Sequence, residues 1–506
     1  MTDEATSTDQ PTPKPDHEPP AEAKSTRTWS AGVHPIEYTA TAKWTVLRKR
    51  EKPVAEIFHV SYVANTGRGP GDERPVTFVF NGGPGASSAF LHMGVAGPQR
   101  VVFPPDGSLP QMPLRFVENE NSWLAFTDLV FVDPVGTGFS RVIEKETKEA
   151  DAKGKEPEDG TREFWGYKRD LESLCEFMSR WLSDNRRWGS PVFISGESYG
   201  GYRVGRLVRL LQENAGIGLN GAILISPALE LTELASSDYD VLSWIDLVPT
   251  MALAAVHHGR SRTLAPGTSR EAVHTAAEKF ATGDYATFLT RGASLSPVQR
   301  ERTLQALADL IGLPVEFVTR AEGRVPIQVF TRELLRDERK VVGLYDATIT
   351  AADPFPDREP FAGPDPTLSG LTPTFTVAIN RQLRAELGVE TDREYLLLNY
   401  EAFEKWNNDA PEHFFVPPVG ATDDFRYGMS LNPHMKAFIT HGRYDLVTPY
   451  YTSDRLRNLM RLDPAVAERL TVRHFDGGHM FYAWEESRRA FTAAIQAFVA
   501  DAIAEG

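Results

Sequence analysis

The stretch PVFISGESYGGYRVG, residues 191–205, decides how this chain is read. PVFIS is a short continuous apolar run, as expected of a strand buried on both faces. It runs directly into Gly196, Glu197, Ser198, Tyr199 and Gly200, and a helical pattern, YRVGRLVRLLQENAG, follows and ends at glycine. Strand, sharp turn and helix form the context that G-x-S-x-G requires. The glycines let neighbouring chain pass close to a strained central residue. The hydroxyl of that residue, Ser198, then stands at the C-terminal edge of a sheet, over a helix N-terminus that favours developing negative charge. The bland alternative is a Gly-rich turn holding an incidental serine.

The rhythm extends outward from this stretch. EYTATAKWTVLRKR and VAEIFHVSYVANTG alternate and end in turn residues, as two antiparallel strands would. VTFVF (76–80), LVFVDP (129–134), GAILIS (221–226) and KAFITHG (436–442) are further buried-strand runs, and residues 163–187 carry a helical pattern. Strands alternating with helices predict a doubly wound, mostly parallel α/β sheet. Residues 231–430 break the rhythm with helical stretches near 268–282, 297–311 and 376–387 and the Pro-rich segment DPFPDREPFAGPDP, which predicts an inserted, mainly helical cap. The expected organisation is a disordered tail over 1–32, core over 33–230, cap insertion and connections over 231–430, and core again over 431–506.

Bulk properties narrow the function classes. The 506 residues are 41% hydrophobic and 24% charged, as in a globular protein with a large core. The net charge of −15, with no basic block, excludes nucleic acid as an expected partner. No apolar run reaches the length of a membrane span, and the N-terminal residues lack the apolar core of a secretory signal, so a cytoplasmic location is expected. The single cysteine, Cys175, sits at helical spacing and reads as a core thiol. Neither metal nor cofactor is expected; His257 and His258 have no carboxylate or cysteine at ligand spacing. WGYKRD (165–170) reads as a solvated helix start, with an alternative in which its aromatics face the site.

A serine hydroxyl is weak without a base. In the G-x-S-x-G arrangement the acid and the histidine follow the serine in chain order, the acid past a late strand and the histidine on a loop near the C-terminus. KAFITHGRYDLVTPYY offers Asp445, and TVRHFDGGHMFYAWEESRRAF offers His479 before a final helix. His474 competes, but the pattern TVRHF places it within a strand. Acyl transfer also needs two backbone N–H groups aimed at the tetrahedral oxyanion. One belongs to Tyr199, after the nucleophile. The other belongs to the loop after an early strand, where FNGGPGASSAF (80–90) lies. A tight turn explains one or two of those glycines but leaves Asn81 unexplained.

Four blocks together resemble the serine carboxypeptidase family of α/β-hydrolases: NGGPGASS (81–88), NSWLAFTDLVFVDPVGTGFS (121–140), GESYGGY (196–202), and GRYDLVTP (442–449) paired with GGHMFY (477–482). They stand in family order. The resemblance implies Ser198 as nucleophile, Asp445 as orienting acid and His479 as base. It implies the Gly83 and Tyr199 N–H groups as the oxyanion hole, and Asn81, the Gly82 N–H and Glu197 as the grip on a substrate's free C-terminal carboxylate. The implied activity is that of a serine-type carboxypeptidase acting on peptides through an acyl-enzyme, with an esterase or acyltransferase at the same site as the alternative. A retained fold without catalysis is disfavoured by the intact set of residues.

A carboxylate facing a substrate carboxylate repels it unless a proton is shared, so the Glu197 pKa is expected to be raised. The competing reading pairs Glu197 with Arg203. The chain departs from the family in three places. Ala86 stands where the family has a bonded cysteine, residues 93–96 lack the second acid that partners the Glu197 equivalent, and Arg443 replaces a frequent aspartate. These departures suggest a bacterial-type branch.

Overall fold

The computed structural model describes residues 17–66, 74–143, 163–234, 236–358, 363, 365–407 and 420–504. Its centre is a sheet whose main path holds nine strands: β1 (Ala23–Trp29), β2 (Ile36–Lys49), β3 (Lys52–Ala64), β4 (Val76–Phe80), β5 (Asp128–Val132), β6 (Val192–Glu197), β7 (Gly221–Ile225), β8 (Lys436–Thr440) and β9 (Leu470–Val472). Their spatial order is β1-β2-β3-β5-β4-β6-β7-β8-β9. The first three strands and the β3–β5 pair are antiparallel, and every later pair is parallel.

Of the five runs read as buried strands, four are buried at every position in β4, β5, β6 and β7, and the fifth, β8, at every position but Lys436. Alternate residues feed two cores: Phe78, Phe80, Val192 and Ile194 enter one, and Val79, Phe193, Ile223 and Ile225 the other. Helices cover both faces. α1 (Tyr167–Asp184) and α2 (Tyr199–Asn214) pack on the first core, while α8 (Glu485–Ile503) packs on the second. This is the doubly wound, mostly parallel arrangement of an α/β-hydrolase.

Register decides where chemistry can gather. Phe80 lies beside Gly196, Glu197 beside Ile225, and Ile225 beside Thr440. The residues that follow these strands, Asn81, Ser198, Ser226 and His441, therefore emerge along one sheet edge. This C-terminal edge is where ligands bind in parallel α/β sheets.

Two boundaries differ from expectation. The tail expected over 1–32 gives way at Ala23, where β1 pairs with β2 from Ala23 opposite Ala42 to Trp29 opposite Ile36. The segment AKSTRTW is poor in apolar groups, but an edge strand needs only backbone pairing and one anchor. Trp29 supplies that anchor: it is buried, and its indole N–H donates to the Asn119 carbonyl at 3.0 Å. Residues 1–16 of the expected tail lie outside the described residues.

The interval 231–430 also divides. α3 (Leu242–His257), α4 (Arg270–Phe280) and α5 (Pro297–Ile311) build their own core, joined by Tyr444, Leu446 and Tyr450 of the sheet domain. By contrast, α6 (Leu368–Asn380) contributes Phe375 and Ile379 to one sheet core, and α7 (Thr422–Leu431) contributes Phe425 and Met429 to the other. Part of the interval read as cap is thus the packing layer of the sheet itself. Residues 359–362 and 364, within the Pro-rich segment, lie outside the described residues. Among the described residues no helix is long and apolar enough to cross a membrane.

Candidate active site

Ser198 joins β6 to α2 with φ 63° and ψ −125°, a conformation that L residues rarely adopt. The turn closes only because its neighbours are small: a Cβ on Gly196 would stand 2.1 Å from the Gly200 carbonyl oxygen. The NGGPG loop lies directly against it. A Cβ on Gly82 would meet the Tyr199 backbone nitrogen at 2.5 Å. The elbow and the glycine loop therefore touch backbone to backbone, as two N–H groups serving one oxyanion would need to.

The loop after β8 brings Asp445 to the same edge, fully buried. Its Oδ1 accepts from the Val447 and Thr448 N–H groups at 2.9 and 3.1 Å, and its Oδ2 accepts from the Thr448 hydroxyl at 2.6 Å. The same Oδ2 lies 2.7 Å from His479 Nδ1. A carboxylate only accepts, so Nδ1 carries the hydrogen and Nε2 is left basic. The His479 backbone is fixed from both sides. Its N–H donates to the Tyr345 carbonyl at 2.5 Å, and its carbonyl accepts from the Ser226 hydroxyl at 2.8 Å. Burial by itself would lower the imidazole pKa, but the Asp445 charge and hydrogen bond outweigh it and hold the group above its ordinary value.

His474 lies two residues beyond β9 rather than within the strand, and its Nε2 faces Asp454 at 3.2 Å. Arg203 is not the partner of Glu197. Its guanidinium grips Asp170 at 2.8 and 3.1 Å and donates to the Asn81 carbonyl at 2.6 Å. Glu197 is 4% exposed and accepts from the Tyr482 hydroxyl at 2.6 Å and from the Asn81 side chain. Burial pushes its carboxyl up to about 7, against the opposing effects of His479, Tyr482 and Asn81. The segment WGYKRD is not a solvated helix start. Asp170 is buried, and the Tyr167 ring packs 6.1 Å from Tyr199 and 5.4 Å from Tyr202. Cys175 is partly buried against the sheet core, with its thiol pushed up to about 12 by burial.

Local sequence reading did not single out Thr448, Tyr345, Asp170 or Tyr482. Tyr345, Asp170 and Tyr482 each act on a residue far away in the chain, which no local spacing encodes, while Thr448 acts on Asp445 three residues earlier through a turn whose geometry the sequence does not show. A half-buried serine on a strained elbow, a buried Asp–His pair and a backbone-lined glycine loop on one sheet edge are the parts of an acyl-transfer hydrolase.

Parts of the chain are similar to known proteins. Residues 46–278 match the serine carboxypeptidase family model. Serine carboxypeptidase-like 36 of Arabidopsis thaliana is 28% identical over 183 residues, covering 35% of this chain and 33% of that protein. Pheromone-processing carboxypeptidase KEX1 of Saccharomyces cerevisiae is 34% identical over 149 residues, covering 29% of this chain and 18% of that protein. The matched stretch thus spans a third or less of these relatives' lengths. Both relatives are eukaryotic, which gives the bacterial-type placement no support. The crystal structure of the Saccharomyces cerevisiae prohormone-processing carboxypeptidase KEX1(delta)P covers 92% of each chain with a TM-score of 0.52 at 14% identity, a likeness of fold.

Proposed function

We propose that this protein is a serine-type carboxypeptidase that releases the C-terminal residue of a peptide. Ser198 Oγ attacks the last peptide carbonyl while His479 Nε2 takes its proton, and Asp445 steadies the imidazolium. The Gly83 and Tyr199 N–H groups receive the oxyanion. Collapse of the tetrahedral intermediate breaks the C–N bond, and His479 returns the proton to the departing amine. Water, deprotonated by His479, then hydrolyses the ester on Ser198. Asn81, the Gly82 N–H and Glu197 hold the substrate's terminal carboxylate and set the cut at the last bond.

The observation that carries this reading is Glu197. A buried carboxyl next to the nucleophile, raised to about 7 and hydrogen-bonded to Asn81, is suited to share a proton with a second carboxylate. An esterase or acyltransferase would use the same serine, acid and base but has no use for that carboxyl.

The test is a blocked peptide offered as the free acid and as the C-terminal amide, followed by mass. Loss of one residue from the acid and little from the amide is the expected result. Cleavage of simple esters with no peptide trimming would overturn the reading. Ser198→Ala is expected to abolish turnover with the fold retained; a fully active variant would refute the nucleophile assignment.

A further inference from the structure

In the carboxylate grip just described, on which this inference rests, the position of the Glu197 proton decides how the substrate carboxylate is held. A protonated carboxyl has two oxygens, and only one can face the substrate carboxylate with its hydrogen. In a site with a second acid, that acid could hold the other oxygen. Here residues 93–96 offer none: Met93, Gly94, Val95 and Ala96 are buried in the π-helical turn His92–Ala96.

The space is filled from the other end of the chain. Tyr482 lies in the turn Phe481–Ala483 directly after the catalytic histidine loop and is fully buried. Its ring lies against Gly94, where a Cβ would stand 2.6 Å from the ring, so the glycine is what admits it. Its hydroxyl reaches Glu197 Oε2 at 2.6 Å. The charged and titratable groups facing Glu197 are His479 and Asp445 from the two C-terminal loops and Tyr482 itself, with the Asn81 amide from the loop after β4. Arg203 turns to Asp170 instead.

We propose that Tyr482 is a positioning residue for the carboxylate grip: its hydroxyl keeps Glu197 Oε2 an acceptor, so that the proton rests on Oε1 and is shared with the substrate's C-terminal carboxylate. A tyrosine differs from a second acid in one respect that matters. Its hydroxyl donates a hydrogen bond throughout the working pH range, but its proton is far less acidic than a carboxyl's and is not available to lend. Glu197 must therefore draw its proton from solvent. Above the Glu197 pKa, each substrate or product carboxylate that binds takes up one proton, and the pH limb for peptide hydrolysis reports Glu197 alone rather than a coupled acid pair.

Two measurements test this on the full chain. The first is kcat/KM for a free-acid peptide against pH for the wild type and Tyr482→Phe. Removing the donor disfavours the ionised carboxyl, so the limb's midpoint is expected to move up by about one unit, the size of a hydrogen bond to a charged group. A uniform loss of activity with the midpoint unmoved is what a merely structural tyrosine would produce, and it would overturn the proposal. The second uses the wild type and needs no variant. N-acetylphenylalanine, a product with a free carboxylate, is titrated calorimetrically at pH 8 in two buffers of different ionisation enthalpy. Uptake of about one proton per molecule bound is expected, lost in Glu197→Gln. Binding without uptake would also overturn the proposal. Failure of the wild type to bind this ligand or to trim peptides at any pH would instead remove the carboxypeptidase reading, and the proposal with it.

Discussion

The Asp170–Arg203 pair lies behind the glycine loop, and removing its carboxylate has a calculable consequence. Arg203 is 1% exposed and Asp170 3%. The guanidinium holds both Asp170 oxygens and, with its remaining arm, the backbone carbonyl of Asn81. It also lies 4.7 Å over the Tyr199 ring. Asp170→Ala leaves a buried cation without its counter-charge, which destabilises a protein by roughly 3–5 kcal/mol. That is a large fraction of a typical stability of about 5–15 kcal/mol. Asp170→Leu combined with Arg203→Met removes both charges and fills the space, so most of that loss is expected to return. Activity is expected to be lost in the double variant, because Arg203→Met takes the donor from the Asn81 carbonyl and the loop carrying Gly82 and Gly83 is no longer tied to α2. Urea unfolding followed by tryptophan fluorescence measures the first quantity, and kcat/KM on a free-acid peptide the second. The reasoning fails if Asp170→Ala costs less than about 1 kcal/mol, or if the double variant is no more stable than the single one.

Two further outcomes are expected. Thr448→Val removes the hydroxyl that donates to the same Asp445 oxygen as His479 does; kcat/KM is expected to fall about tenfold, the worth of one hydrogen bond to a charged group, and an unchanged rate would remove Thr448 from the site. Glu197→Gln should abolish the loss of peptide kcat/KM that the wild type undergoes as pH rises through about 7. The same variant bears on stability. The folded Glu197 carboxyl is raised from 4.5 to about 7, so folding favours its protonated form, and stability is lost as pH rises through that window. At roughly 1.4 kcal/mol per unit the loss is about 3 kcal/mol. The variant should therefore be the more stable protein at pH 8 and gain nothing at pH 4 in denaturant titrations; equal stability at pH 8 would refute the assignment.

Much of the architecture was legible in the chain. VTFVF, LVFVDP, PVFIS and GAILIS read as buried strands because each is apolar at successive positions, and they are β4, β5, β6 and β7. The elbow was legible for a similar reason: strand, glycine-flanked serine and helix are adjacent in sequence, and the backbone constraint is local. β1 was not legible, because AKSTRTW is held by pairing with β2 and by Trp29, and a count of apolar groups registers neither. The division of residues 231–430 was hidden as well. A helical period reveals that a helix has an apolar face, but not whether that face meets the sheet, as α6 and α7 do, or other inserted helices, as α3 to α5 do.

By itself, then, the sequence determined the strand and helix order, the elbow at Ser198, and the chain positions of the candidate acid and base. The tertiary structure alone decided the partners of the buried polar groups. Arg203 went to Asp170 rather than Glu197, and Glu197 went to Tyr482, a residue 285 positions away in the chain. The physical reason is that a strand or turn is a property of its own residues, whereas a buried donor takes whichever acceptor the sheet register and loop packing bring within hydrogen-bond reach.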